Sequence, residues 1–159
     1  AATNLVVSLQ SLGRFGEAAP LGEQMLLAGD YDNVPTLRVN LAYGYFEAGL
    51  VADALRHYRE LTRREEPHLR LIALARSAEC LAIVGTEAER ALEAPRLIDA
   101  ALDELATADY PAAVGRAMIV TLKLGSPEQR ERLLAMALDR SLIPAYLQEE
   151  LAALLPAGA

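Results

Sequence analysis

Apolar residues recur along the chain with the spacing expected for amphipathic helices. The clearest stretch has apolar side chains at i, i+3, i+4, i+7 and i+10, namely Val51, Ala54, Leu55, Tyr58 and Leu61. This spacing places all five on one face of a helix. A later stretch, residues 69–84, repeats the pattern with Leu71, Leu74, Ala78 and Leu81. The patterning therefore predicts an all-α chain whose helices each bury one face.

Four glycines divide this helical pattern at nearly regular intervals. Gly13, Gly49 and Gly85 lie 36 residues apart, and Gly125 follows 40 residues later. Each ends one apolar stretch and precedes another. A fixed period of this size is typical of a stacked array of helical hairpins. Such arrays present extended concave surfaces, which favours a binding role over catalysis.

The repeat predicts one domain over residues 1–159, built from four helical hairpins and a last helix that closes the stack. The predicted units span about residues 1–30, 34–66, 69–108 and 111–140, and the capping helix spans 144–155. The first two units correspond position by position at a shift of 36 residues. We expect the chain to be part of a longer protein, because it opens directly in a helical pattern without an initiator Met; a processed N-terminus is the alternative.

Residues at the turns favour the same hairpins. A glycine after the first helix of a unit adopts the left-handed conformation at little cost. Glu17 and Asp53 fall in the first turn of the following helices, where the helix dipole favours a negative charge.

The later units are less regular. In the third, we place the start of the second helix near Pro95, since proline is best tolerated in a first turn. A helix that runs continuously from Glu87 and kinks at Pro95 is the alternative. In the fourth unit, Ser126, Pro127 and Glu128 predict the cap and first turn of a helix that reaches about Asp139. Pro144 is predicted to open the capping helix.

Composition excludes some classes of function. Apolar residues make up 53% of the chain, which is enough for a packed core. The formal net charge of −7 argues against direct nucleic-acid binding, which usually needs a basic patch. No apolar run approaches the roughly 20 residues of a membrane span, and no signal peptide is visible. We expect a cytoplasmic protein that does not bind membranes.

The residues of the first two units resemble the tetratricopeptide repeat. That repeat has large and small apolar residues, aromatics, a glycine at the turn and an alanine in the second helix of the unit, called helix B. The residues that match this pattern are Leu41, Ala42, Tyr45, Gly49, Ala54 and Tyr58. Gly13, Phe15 and Ala18 match it in the first unit. The match covers about the first 66 residues, and beyond them Arg90 and Arg130 replace the small helix B residue. The long, degenerate units resemble the effector domains of bacterial transcription regulators.

This resemblance implies a right-handed α-α superhelix whose first helices, one per unit, line a concave peptide-binding face. On that face it would place Asn4, Val7, Asn40, Tyr43, Glu47, Arg76, Glu79, Arg116 and Lys123. Asn4, Asn40, Arg76 and Arg116 share one register and would form a ladder able to bind a peptide backbone or carboxylate. The alternative is that these are ordinary exposed polar positions.

Some family members clamp a C-terminal carboxylate with lysine and asparagine at set positions. The lysine positions hold Thr3, Val39 and Ala75, and the second asparagine positions hold Val7, Tyr43 and Glu79. We therefore expect no tight binding of acidic C-terminal chaperone tails. Tyr43 is predicted to be a contact residue, whereas Tyr45 is predicted to lie in the core.

Residues with catalytic chemistry are few. Cys80 is expected to be a buried structural thiol, and His57 and His68 are expected to lie at the surface. We predict a non-enzymatic scaffold that binds a protein or peptide, without a cofactor or a metal. The alternative is a ligand-sensing or oligomerisation domain of a bacterial transcriptional or signalling regulator. We also expect either a homodimer or a further N-terminal segment, because the first helix has no polar cap over its apolar face.

Overall fold

The computed structural model describes residues 2–29 and 34–158, and in these ranges the chain is all-helical, without a strand. The predicted boundaries at residues 1, 30 and 159 lie outside the described residues. The first five helices are α1 (Ala2–Ser11), α2 (Phe15–Ala28), α3 (Val34–Glu47), α4 (Val51–Leu61) and α5 (Pro67–Val84). The remaining four are α6 (Ala94–Leu105), α7 (Pro111–Leu124), α8 (Pro127–Leu134) and α9 (Ala145–Leu154).

The helices pack in two sets. The odd-numbered helices contact one another in chain order, α1 with α3, α3 with α5, α5 with α7 and α7 with α9. The even-numbered helices pack against these, as α4 does between α3 and α5. Polar side chains pair at a spacing of 34 residues: Glu23 with His57 and Arg59 with Glu93 join neighbouring units, and Arg70 with Glu104 lies within the third unit.

The four turn glycines fall into two conformational classes. Gly13 and Gly49 have φ of 71° and 78°, the left-handed conformation that the turn pattern predicts. Gly85 and Gly125 instead have φ of −67° and −68°, so the prediction is wrong for them. At both turns the next residue, Thr86 or Ser126, caps the following helix with its side chain, whereas Arg14 and Leu50, which follow the left-handed glycines, make no side-chain cap. A Cβ on either glycine would approach a backbone oxygen to 2.5 Å, so close packing rather than φ requires glycine there.

The later two turns share a further interaction. Arg90 and Arg130, which depart from the repeat pattern, donate to the carbonyls of Gly85 and Gly125 at 2.7 and 2.9 Å. These carbonyls lie at helix ends, where the backbone lacks intrahelical partners. The two arginines thus stabilise the turns at positions where a small residue was expected.

The second helix of the third unit does not start near Pro95. Helical backbone begins at Glu87, as in the alternative interpretation, and passes through a π-helical turn at Glu89–Glu93 before α6. Thr86 and Glu89 cap this start reciprocally, since each side chain accepts a hydrogen bond from the other residue's backbone N–H. The wider π turn accommodates Pro95, which lacks an N–H and would crowd a regular α-helix.

The fourth unit confirms one predicted boundary and corrects another. Ser126 caps α8, with its side chain accepting from Gln129 N–H and Gln129 reaching back to the Ser126 N–H. The helix ends at Leu134 rather than near Asp139. Asp139 instead caps a short 3-10 turn, Arg140–Leu142, by accepting from the Ser141 N–H at 3.0 Å. Aspartate favours such a cap over a helix interior.

Candidate functional site

Four of the predicted groove residues line one concavity. Tyr43 and Glu47 come from α3, Arg76 from α5 and Arg116 from α7. The concavity has a volume of about 280 Å³. These residues meet because α3, α5 and α7 pack consecutively.

Sequence reasoning missed the other half of the lining. It consists of Ile72 from α5, Ala112 from α7, and Tyr146 and Leu147 from α9. The helix α9 had been predicted only to close the stack. Because α9 packs on α7 as the next odd-numbered helix, its first turn extends the same surface. The position of α9 in the register of first helices was the available signal.

The rim of the concavity is aromatic and exposed. Tyr43 is 47% exposed, as its prediction as a contact residue requires, and Tyr146 is 73% exposed. Tyrosine offers a large rigid apolar area with a polar tip, which suits a contact surface. The concavity therefore combines two accessible aromatic rings with the apolar side chains of Ile72 and Leu147.

Arg76 differs from the exposed position projected for it. Its side chain is almost wholly buried, with Nη1 donating to Glu79 Oε2 at 2.7 Å. Its guanidinium carbon also lies 4.9 Å from the centroid of the Phe46 ring. Burial follows from the central place of α5, which packs against α3, α4, α6 and α7. Arg76 thus brings a paired positive charge to the wall of the concavity.

Arg116 is less well paired. Its side chain is 14% exposed, and its closest carboxylate oxygen is Glu150 Oε2 at 3.6 Å. That distance is too long for a hydrogen bond. Glu150 is also shared, because its Oε1 lies 3.4 Å from Lys123 Nζ. Among the described side chains and backbone, no acceptor is hydrogen-bonded to Arg116.

The other predicted groove residues do not line this concavity. Asn4 is exposed on α1, and Asn40 is half-buried, with its carbonyl accepting from Gln10 Nε2 at 2.7 Å. Glu79 is held by Arg76, and Lys123 faces Glu150. The predicted ladder is thus represented in the concavity by its two arginines, without Asn4 and Asn40.

A second cluster of titratable groups joins α2, α3 and α4. Glu23 Oε1 accepts hydrogen bonds from Tyr45 Oη at 2.9 Å, Arg56 Nη2 at 2.7 Å and His57 Nε2 at 2.9 Å. Arg38 Nη1 lies 3.2 Å from His57 Nδ1. An arginine only donates, so Nδ1 accepts and Nε2 carries the proton. His57 is therefore neutral in this arrangement.

Burial sets the protonation of this cluster. His57 has no exposed surface, so its predicted surface location is wrong. Burial lowers the pKa of His57 below its ordinary value of 6.5, against the opposing effect of Glu23. Partial burial raises the pKa of Glu23, but hydrogen bonds from Arg56, His57 and Tyr45 outweigh it and bring the pKa to about 2. Three donors converge on Glu23 Oε1 and both ring nitrogens of His57 have partners, so the cluster ties α2, α3 and α4 together.

The remaining candidates lie where packing explains them. Cys80 is buried, which confirms its predicted location, and burial raises the pKa of its thiol to about 12. Tyr45 is half-buried and stacks on His57, with centroids 5.6 Å apart. His68 is half-buried rather than fully at the surface and stacks on Tyr110, with centroids 4.2 Å apart.

Within residues 2–29 and 34–158, no three His, Cys, Asp or Glu side chains are grouped so as to hold a metal ion. In the same ranges no helix combines the length and apolar character of a membrane span. No protein-family model, no curated protein and no solved structure matches the chain. Function is therefore inferred from the concavity itself.

Proposed function

We propose that this chain is a protein-binding scaffold of tetratricopeptide-like type, a right-handed superhelix whose concave face binds a peptide segment of a partner. We name the concavity lined by Tyr43, Glu47, Arg76, Arg116 and Tyr146 the groove. The consecutive packing of α3, α5, α7 and α9 supports this proposal, because one set of helices then provides a continuous surface. Cross-unit pairs spaced 34 residues apart support a regular stack.

One observation carries the proposal: side chains from four separate helices converge on one open surface with exposed tyrosines and largely buried arginines. Tyrosine and arginine are enriched among residues that dominate binding energy at protein interfaces. A volume of about 280 Å³ lies at the small end for a pocket that encloses a drug-sized molecule. An open groove of this kind suits a few side chains of an extended segment.

The test begins with peptides selected on the purified protein from a random display library. Calorimetry then compares the affinity of a selected peptide for the wild type, Tyr43→Ala and Tyr110→Ala. Tyr110 is the matched control, because it is 46% exposed, as Tyr43 is 47%, but lies outside the groove. We expect Tyr43→Ala to weaken binding about tenfold or more. The Tyr110 variant is expected to bind as the wild type does.

Two results would count against a peptide-binding scaffold. One is a failure of the library to yield any peptide that binds the folded protein. The other is equal affinity of the wild type and Tyr43→Ala for every selected peptide.

Exposed leucines on the first hairpin favour a second candidate, an oligomerisation domain of a bacterial transcriptional or signalling regulator. Leu5, Leu12 and Leu27 are all half or more exposed on α1, its turn and α2. Contiguous exposed apolar side chains mark interaction surfaces, and these three leucines lie on one hairpin. Sedimentation equilibrium of the wild type and a Leu12→Ser, Leu27→Ser double variant tests this. A dimer that the double variant loses supports it, and a monomeric wild type at high concentration opposes it.

A further inference from the structure

We propose that the groove binds partner segments that contain one internal acidic residue next to an apolar residue. The carboxylate of the acidic residue binds Arg116, and the apolar side chain, which either precedes or follows it, packs between Tyr43 and Tyr146. This proposal rests on the peptide-binding function proposed above and adds the chemical class of the peptide. It commits to a side-chain carboxylate within a segment rather than a chain terminus.

Arg116 supplies the site for the carboxylate. A guanidinium has five N–H donors in a planar fork that matches a carboxylate. Arg116 is mostly buried, yet none of its donors is hydrogen-bonded within the described residues, and its closest carboxylate is 3.6 Å away. None of its nitrogens is fully buried without a partner, so the unbonded donors are accessible from the open groove. A ligand carboxylate in the groove would supply the missing acceptors.

The second arginine of the groove is not equivalent. Arg76 already has a carboxylate partner at 2.7 Å in Glu79, three residues along the same helix, and its side chain is more deeply buried than that of Arg116. A ligand would have to break this pair to use Arg76 fully. Among the described residues that line the groove, Arg116 is therefore the one available cation, which is why one acidic side chain is proposed instead of a run of them.

Glu150 is the competitor for this site. It lies on α9, is 39% exposed in its side chain, and faces both Arg116 and Lys123 without a short contact to either. A half-exposed carboxylate at these distances is weakly held. A ligand carboxylate would displace it from Arg116 and leave it beside Lys123. Removing the charge of Glu150 should accordingly strengthen binding.

Glu47 restricts where the acidic residue of the segment can lie. It is exposed at the α3 side of the groove, whereas Arg116 lies on α7. An acidic ligand residue near Glu47 would be repelled, because like charges across an interface oppose binding. The segment is therefore expected to place its acid over α7 and a neutral or basic residue over α3. This charge pattern complements the groove.

The experiment uses two random octapeptide libraries, one with an amidated and one with a free C-terminus, selected on the purified chain. We expect the amidated library to yield peptides with a single Asp or Glu next to a large apolar residue. Affinities of one such peptide are then measured by calorimetry. Arg116→Met should weaken binding about ten- to a hundredfold, the range for a charged hydrogen-bonded contact. The affinity of Arg116→Lys should lie between those of the wild type and Arg116→Met. Glu150→Gln should bind the peptide a few times more tightly than the wild type does.

Arg132→Met is the matched control. It removes an arginine that also faces a carboxylate, that of Asp103, but Arg132 lies on α8, outside the groove. It should leave affinity unchanged, and melting curves should show every variant to be folded. Two results would overturn this proposal: selected peptides that contain no acidic residue, or equal affinity of the wild type and Arg116→Met. If Tyr43→Ala still weakens binding in either case, the scaffold function stands. Peptides selected only from the library with a free C-terminus would show that the groove binds a terminal carboxylate, which would overturn the proposed binding of an internal acidic side chain. Failure of both libraries would overturn both proposals.

Discussion

Glu23 and His57 lie 34 residues apart in the chain, and Glu23 Oε1 accepts a hydrogen bond from His57 Nε2 at 2.9 Å. The bond joins α2 to α4 and ties the first hairpin to the second. It is buried at the histidine and half-buried at the carboxylate. One of the links between these two hairpins therefore contains a buried neutral imidazole, and protonation of that ring would disturb this link.

Lowering the pH should weaken the fold in two stages. Because the pKa of His57 is lowered by burial, the unfolded chain binds more protons than the folded one, so stability is full above about pH 6.5 and falls below it. The pKa of Glu23, lowered to about 2, adds stability above about pH 4.5 that is lost towards pH 2. Urea unfolding at pH 7.5 and 5.0 measures the first stage.

His57→Gln should lose less stability than the wild type between these two pH values, since glutamine does not titrate. An equal loss in both proteins would show that His57 takes up no extra proton on unfolding. The variant should also be less stable at pH 7.5, by about 1–3 kcal/mol, if glutamine leaves a buried partner unsatisfied.

Gly44→Ala should destabilise the contact between α1 and α3. A Cβ at this position would lie 2.2 Å from Gln10 Nε2, so Gln10 must move and give up its hydrogen bond to the Asn40 carbonyl. We expect a loss of about 1–3 kcal/mol in the free energy of unfolding, measured by urea denaturation. Gly16→Ala is the control, since nothing lies within 4 Å of its Cβ and alanine favours a helix. A Gly44 variant as stable as the Gly16 variant would contradict the packing.

Ser126→Ala should remove the cap of α8. The serine side chain accepts from the Gln129 N–H at 3.2 Å, and loss of such a cap costs about 0.5–2 kcal/mol. Thermal unfolding followed by circular dichroism measures the effect. Ser8→Ala, at an exposed site within α1, should leave the melting temperature nearly unchanged. Equal melting of both variants would mean that the cap contributes nothing to stability.

Cys80 should not react with thiol reagents while the protein is folded. Its thiol is buried and its pKa is raised to about 12, so both access and the reactive thiolate are lacking. A chromogenic disulfide reagent should label one thiol within seconds in guanidinium chloride and far more slowly in buffer. Rapid labelling of the native protein would show that the region around α5 opens readily.

The helices could be predicted from sequence because their signals are local. The apolar face of residues 51–61 belongs to a single helix, α4, and the serine cap at residue 126 belongs to another, α8. Both features are present in the structure. The start at Glu87 also had a local signal, the capping pair of Thr86 and Glu89. It was outweighed by Pro95, because a π turn that accommodates proline is not apparent from sequence.

Burial of charged residues could not be predicted in the same way. His57 lies in a charged stretch that resembles a solvated face, and its partner Glu23 belongs to the preceding hairpin. Arg76 is buried because α5 is packed on several sides, whereas the repeat register placed it on the concave face. For the groove, the shared register brought Arg76 and Arg116 to one surface. Tyr146 was missed because α9 was predicted only to close the stack, although it packs on α7 as the next odd-numbered helix.

The most direct test of the groove is to map where a selected peptide lies. A benzophenone side chain is placed at the apolar position of the peptide, the complex is irradiated, and the cross-linked residues are identified by mass spectrometry. Binding in the groove predicts cross-links within residues 39–47 of α3, 72–76 of α5, 112–116 of α7 or the first turn of α9. Cross-links confined to α4, α6 or α8 would contradict it.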